Sequence, residues 1–113
     1  MIEVKFWQNK ERGTVHMTMK GHAGTAPKGE DLVCAAATML AYTVAQAMQF
    51  LYESGQLEKK PKIRLEEGSA TIVVTPREDS YAGVLTAFWV AQCGIHVLAH
   101  NYPGAVRLGY LKV

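Results

Sequence analysis

Leu32-Val33-Cys34-Ala35-Ala36-Ala37-Thr38-Met39-Leu40-Ala41-Tyr42-Thr43-Val44-Ala45-Gln46-Ala47-Met48-Gln49-Phe50-Leu51-Tyr52 contains no charged side chain. A run of this length matches the roughly 20 residues that a bilayer span requires. Its many alanines, with Thr38, Tyr42, Thr43, Gln46 and Gln49, argue instead for a helix buried in a small domain or at a subunit interface. The pattern predicts one long helix over about Asp31–Ser54, closed by Gly55. At about 100° per residue, Val33, Ala36, Ala37, Leu40, Val44, Ala47 and Leu51 share one apolar arc, which should lie on a sheet. Cys34, Thr38, Tyr42, Gln46, Gln49 and Glu53 share a more polar arc.

Working outward, the sheet is supplied from both sides. Upstream, Ile2–Gln8 and Thr14–Lys20 alternate apolar and polar residues around the turn Asn9-Lys10-Glu11-Arg12-Gly13, which reads as a hairpin. Gly21-His22-Ala23-Gly24-Thr25-Ala26-Pro27-Lys28-Gly29 then holds three glycines and a proline and fits no regular element, so a mobile loop is expected. Downstream, Lys59-Lys60-Pro61 is a solvated linker. Short strands follow over Lys62–Glu66 and Ala70–Thr75, joined by Glu67-Gly68-Ser69. A second helix spans about Ser80–His100 with Asp79 or Ser80 as its N-cap; Asn101-Tyr102-Pro103 stops it. Gly94 inside this helix costs about 1 kcal/mol relative to alanine and so points to close packing. A last strand covers about Val106–Lys112. The order ββαββαβ predicts an α+β two-layer sandwich, a small mixed sheet with two helices on one face.

Composition bounds the rest. The chain has 113 residues, 49% of them apolar, which suits a single globular domain over 1–113. Twelve basic and ten acidic residues leave a formal charge of +2, which gives no sign of a nucleic-acid partner. The alternating N-terminal strand is not a secretory leader, and two cysteines allow one bridge at most. A reduced, cytoplasmic protein with no membrane partner is expected.

Cys34 stands apart. It falls at the edge of the polar arc rather than in the apolar stripe where inert cysteines sit. With Asp31 as N-cap it would occupy the first helical turn, where unpaired backbone N–H groups and the positive end of the helix dipole favour a thiolate and can receive an oxyanion. His22, twelve positions upstream at the end of the second strand, is the candidate base. Asp31 either orients that imidazole or only caps the helix.

The elements Gly21-His22-Ala23-Gly24 and Gly29-Glu30-Asp31-Leu32-Val33-Cys34-Ala35-Ala36, at this spacing, resemble the signature of the ribosomal-processing cysteine protease family, Prp. The likeness extends over essentially the whole chain, to the Asn101-Tyr102-Pro103 stop and the short terminal strand. It implies a small homodimeric cytosolic protease with a cysteine–histidine dyad, which removes an N-terminal extension from a large-subunit ribosomal protein. By position, Cys34 matches the nucleophile, His22 the base and Asp31 a characteristic acidic residue. Ala23, Gly24, Thr25, Ala26, Pro27, Lys28, Gly29 and Glu30 match a loop that orders over substrate. Thr38 stands where many relatives have serine, and Leu32 where they often have isoleucine. The resemblance calls for no cofactor and no metal.

Rival readings rest on other residues. Cys93, beside Val90 and Val97 in the second helix, reads as structural; as a redox partner for Cys34 it would make the chain a thiol sensor. His96 and His100, with Gln92 on the same stripe, have the spacing of half a metal site but no evident third ligand, so a solvated face is expected. His16 lies on the polar side of its strand. Trp7, Trp89, Phe88 and Tyr102 are expected in the core, although they could equally furnish a non-catalytic peptide-binding dimer. The first helix has more apolar surface than one sheet needs, which predicts a homodimer packed through helices.

Overall fold

The computed structural model describes residues 1–21 and 28–110, and the side chains of all of these except 28–31 and 110. In chain order the elements are β1 (Ile2–Asn9), β2 (Thr14–Lys20), α1 (Lys28–Glu53), β3 (Lys62–Glu66), β4 (Ser69–Val74), α2 (Tyr81–Asn101) and β5 (Val106–Tyr110). One five-stranded sheet has the order β3-β4-β2-β1-β5. Its first three pairings are antiparallel, and β5 runs parallel to β1, with Val4 opposite Leu108. This is the expected mixed sheet.

Alternation along the strands decides which face is covered. Ile2, Val4 and Phe6 of β1, Val15, Met17 and Met19 of β2, and Ala70, Ile72 and Val74 of β4 are buried. Register sets Val4 beside Met19, and Met17 beside both Phe6 and Ile72, so these side chains form one continuous apolar floor. Both helices lie on it. From α1 come Val33, Ala37, Ala41, Val44, Ala45 and Met48, and from α2 come Val84, Phe88, Ala91 and Ile95. Phe88 meets Phe6 edge-on at 6.4 Å between ring centroids.

The buried stripe of α1 is turned toward Cys34 relative to the expected arc. Ala41, Ala45 and Met48 take core places, while Leu40, Ala47 and Leu51 are only partly buried. The cause lies in the second helix: a Cβ on Gly94 would stand 2.8 Å from Leu40 Cδ2, so Leu40 lies directly against the bare backbone of α2. The glycine marks close packing, as its position in a helix suggested. Ser80 is the N-cap of α2, after a short 3₁₀ turn over Glu78–Ser80, and makes no side-chain capping bond. Each helix is long and apolar enough by composition to cross a membrane; each also seats one face on the sheet.

Three aromatic expectations need correction. Phe88 is core, but Trp89 is 61% exposed and Tyr102 44%. Trp7 lies half-buried on the open face of the sheet, stacked on His16 at 4.7 Å and 11°. The two are cross-strand partners, and the period-2 pattern that buries Phe6 necessarily turns Trp7 outward.

Candidate active site

Cys34 is half-buried and packs against the edge of the core. It lines a cavity of about 410 Å³ between α1 and the β3–β4 end of the sheet. Ile2, Met19, Ala41, Leu65 and Ala70 contribute apolar surface, and Thr38 and Tyr42 stand on α1 beyond Cys34. The β3–β4 turn closes the far side with Glu66, Glu67, Gly68 and Ser69. Gly68, at φ +75°, lets that turn be tight.

Gly21 belongs to the same wall. Its N–H donates to the Gly68 carbonyl at 3.0 Å, tying the exit of β2 to the β3–β4 turn. Its φ of +112° is open only to glycine in practice, and a Cβ there would stand 2.1 Å from the Met1 carbonyl oxygen. The chain therefore leaves β2 through a fixed point on the cavity wall, and His22 is the next residue. His22 and the loop residues Ala23, Gly24, Thr25, Ala26 and Pro27 lie outside the described residues.

Two expectations are corrected by the start of α1. The helix begins at Lys28, so Lys28, Gly29 and Glu30 are helical rather than part of the loop. Asp31 is inside the first turn and not its cap, and Cys34 is in the second turn. Glycine at position 29 had argued for loop, but a single glycine near a helix start is a small cost beside the packing of the turns that follow. The unpaired N–H groups thus belong to the turn before Cys34. Helical side chains lean toward the N-terminus, so a side chain at Cys34 leans back over that turn.

The other singled-out groups lie elsewhere. Cys34 and Cys93 are both free thiols, and Cys93 is exposed on α2 and is not among the cavity-lining residues. His96 and His100 are exposed; among the described residues no group of three side chains could hold a metal ion. His16 shares a hydrogen bond between its Nε2 and Thr14 Oγ1 at 2.8 Å, and burial lowers its pKa below the ordinary 6.5. Sequence reasoning missed the contribution of β1, β2 and the β3–β4 turn to the wall around Cys34. Those residues meet only through strand pairing between distant segments, which no local motif encodes.

Comparison with known proteins agrees with this architecture. The profile of the family described as "Cysteine protease Prp" matches residues 1–107. No curated protein matches the chain. Among solved structures, the ribosomal processing protease Prp from S. aureus in complex with a substrate peptide superposes with a TM-score of 0.70 at 20% identity, covering 98% of this chain and 100% of that one. The same protease with a covalently linked product peptide gives 0.68 at 22% identity, again over 98% and 100%. SMU.848 from Streptococcus mutans gives 0.70 at 24% identity, over 98% and 94%. These structures share the fold.

Proposed function

Since the chain belongs to the cysteine protease Prp family, we propose that it removes the N-terminal extension of a large-subunit bacterial ribosomal protein by means of a Cys34–His22 dyad. The observation that carries this reading is the shared cavity. Cys34 and Gly21 line one wall system, and Gly21 hands the chain directly to His22. A peptide entering the cavity would meet surface from both Cys34 and Gly21, the residue that precedes His22 in the chain.

In the reaction, the Cys34 thiolate, paired with protonated His22, attacks the scissile carbonyl carbon. The carbonyl π electrons move to oxygen, and N–H groups of the first turn of α1 receive that oxyanion. The intermediate collapses as the C–N bond breaks, and His22 gives its proton to the departing amine. Water then attacks the thioester, His22 takes its proton, and the acid product leaves as the thiolate is restored. Asp31, in the turn over which Cys34 leans, is suited to bias the imidazole. Free thiols on a small enzyme suit a reducing cytoplasm.

The same reading includes a homodimer. Leu32, Met39 and Phe50 on α1, with Trp89, Val90 and Val97 on α2, are all more than half exposed. This two-helix surface is the natural contact for a second copy.

The test is cleavage of a peptide matched to the extension junction, followed by mass spectrometry. Cys34→Ala and His22→Ala should each lower kcat/KM by at least about a thousandfold. Full cleavage by either variant would refute the dyad.

A further inference from the structure

The face of the sheet opposite both helices is covered by none of the described elements, and the positive charge of the chain collects there. Strand register sets its side chains in three rows. The first runs Lys62, Val73, His16 and Trp7, from β3 to β1. The second runs Arg64, Thr71, Thr18 and Lys5 and ends at Gly109 of β5. The third, at the β3–β4 turn, runs Glu66, Ser69, Lys20, Glu3 and Arg107. Five of the twelve basic residues stand on this face and two of the ten acidic ones, so by formal charge it carries +3 and the remainder of the chain −1. The overall charge of +2 conceals this, because register gathers the cations and composition does not record register.

Both carboxylates are engaged within the face, Glu66 with Arg64 at 3.5 Å and Glu3 with Arg107. Lys5, Lys20 and Lys62 form no ion pair with any described residue. Three such lysines on a surface of four strand spacings, about 19 Å across, call for an anionic occupant. A second copy of this chain would set lysine against lysine, so the face repels itself. The centre tells which anion fits. Trp7 and His16 stack at 4.7 Å and 11°, and a hydrogen bond with Thr14 Oγ1 holds the imidazole. Thr18 and Thr71 supply hydroxyl groups in the next row, about 7 Å along the strands. An acidic peptide would need a cation opposite each carboxylate, whereas this centre is uncharged. A nucleotide strand has both parts, flat bases for the aromatic pair and phosphates for the lysines around it.

We propose that the open sheet face binds single-stranded nucleic acid, with a base stacked on the Trp7–His16 pair and phosphates on Lys5, Lys20 and Lys62. A duplex does not fit this scheme, since its bases are already stacked on one another. The site is independent of the chemistry at Cys34, which opens on the helix side of the sheet.

The test is fluorescence anisotropy of the full chain with fluorescein-labelled oligouridylate and oligothymidylate of about eight nucleotides, within the size range of single-strand sites. At least one should bind with Kd on the order of 10 µM at about 50 mM salt, and the tighter of the two identifies the sugar. Three phosphate contacts give a slope of about −2 for log K against log salt, so about 200 mM salt should weaken binding more than tenfold. Trp7→Ala should weaken it about tenfold at an unchanged slope, and Trp7→Phe should restore most of the loss. Lys5→Glu should weaken it at least about tenfold and make the slope shallower, while Arg77→Glu, the same charge change outside the sheet, stays within about threefold. Cys34→Ala should bind as the wild type does, whether or not it cleaves peptide. Circular dichroism melting checks that each variant is folded; should Trp7→Ala not fold, the lysine comparison still decides. No anisotropy change up to about 100 µM protein overturns the proposal. Equal weakening by Lys5→Glu and Arg77→Glu overturns it too, since net charge alone would then explain the attraction. A labelled oligoglutamate bound as tightly as the oligonucleotides, and indifferent to Trp7→Ala, gives the face to an acidic peptide instead.

Discussion

A side chain at Gly21 would collide with backbone, not with the movable end of another side chain, because its Cβ would lie 2.1 Å from the Met1 carbonyl oxygen. At φ +112° the residue would also be strained by about 1–3 kcal/mol wherever Met1 moved. Gly21→Ala should therefore cost at least about 2 kcal/mol in urea denaturation and lower peptide cleavage, since the residue directs the chain toward His22. Gly13, also at positive φ but with open space around it, should tolerate alanine better. His16 makes a second residue-scale case. Burial depresses its pKa below 6.5, so the unfolded chain takes up this proton first as pH falls. Its contribution to stability is present above about 6.5 and is lost as pH drops through the lower folded value. Wild-type unfolding free energy should fall between pH 7.5 and 5.5, and His16→Gln should flatten that slope. The arc of Cys34 was misjudged, because the buried stripe turns toward it and the residue packs half-buried against the edge of the core, but its place near the start of α1 was legible at this scale. The need for glycine at position 21 was not, since it depends on Met1, twenty positions away.

At the scale of elements, patterning carried most of the structure. Each strand alternates and each helix has an apolar arc, so the order of elements follows from local residues. What failed was a boundary, because Gly29 reads as a loop residue until the turns after it are packed. The consequence reaches the geometry of the site: a helix end favours an anion only within about one turn, and Cys34 lies one turn farther along than a helix starting at Asp31 would place it. The contact of α1 with α2 is equally specific. Gly94→Ala adds about 1 kcal/mol of helix propensity but presses a methyl group against the movable tip of Leu40, at 2.8 Å. The net change should be within about 1 kcal/mol. Gly94→Ile has no such balance and should destabilise by about 1–3 kcal/mol, read from the same denaturation curves. Leu40→Ala combined with Gly94→Ile should recover part of that loss, which would identify overpacking as its cause.

For the whole molecule, strand order and surface distribution are the properties that no segment announces. The sheet sequence β3-β4-β2-β1-β5 leaves β3 beside the Cys34 cavity and carries Trp7 and His16 to the opposite, uncovered face. The excess apolar surface of the first helix was legible, because its uncharged run is wider than a one-faced arc. The contribution of α2 to that surface was not, since Trp89 was expected in the core and is exposed. If the helices form the contact between two copies, Val90→Lys together with Val97→Lys should convert a sedimenting dimer to monomer at micromolar concentration without lowering the monomer's helix content by circular dichroism. A wild-type chain that sediments only as monomer would exclude the interface.

The parallel pairing of β5 with β1 has a consequence for how the protein is made. Ile2 donates its N–H to the Ala105 carbonyl at 2.8 Å, so the first strand acquires its outer neighbour only from the far end of the polypeptide. On a translating ribosome β1 would be synthesised early and wait, one flank unsatisfied, until nearly the whole chain has emerged from the exit tunnel. Such sequence-distant closure is slow, and a nascent chain arrested before residue 106 would display β1 as a ready template for aggregation.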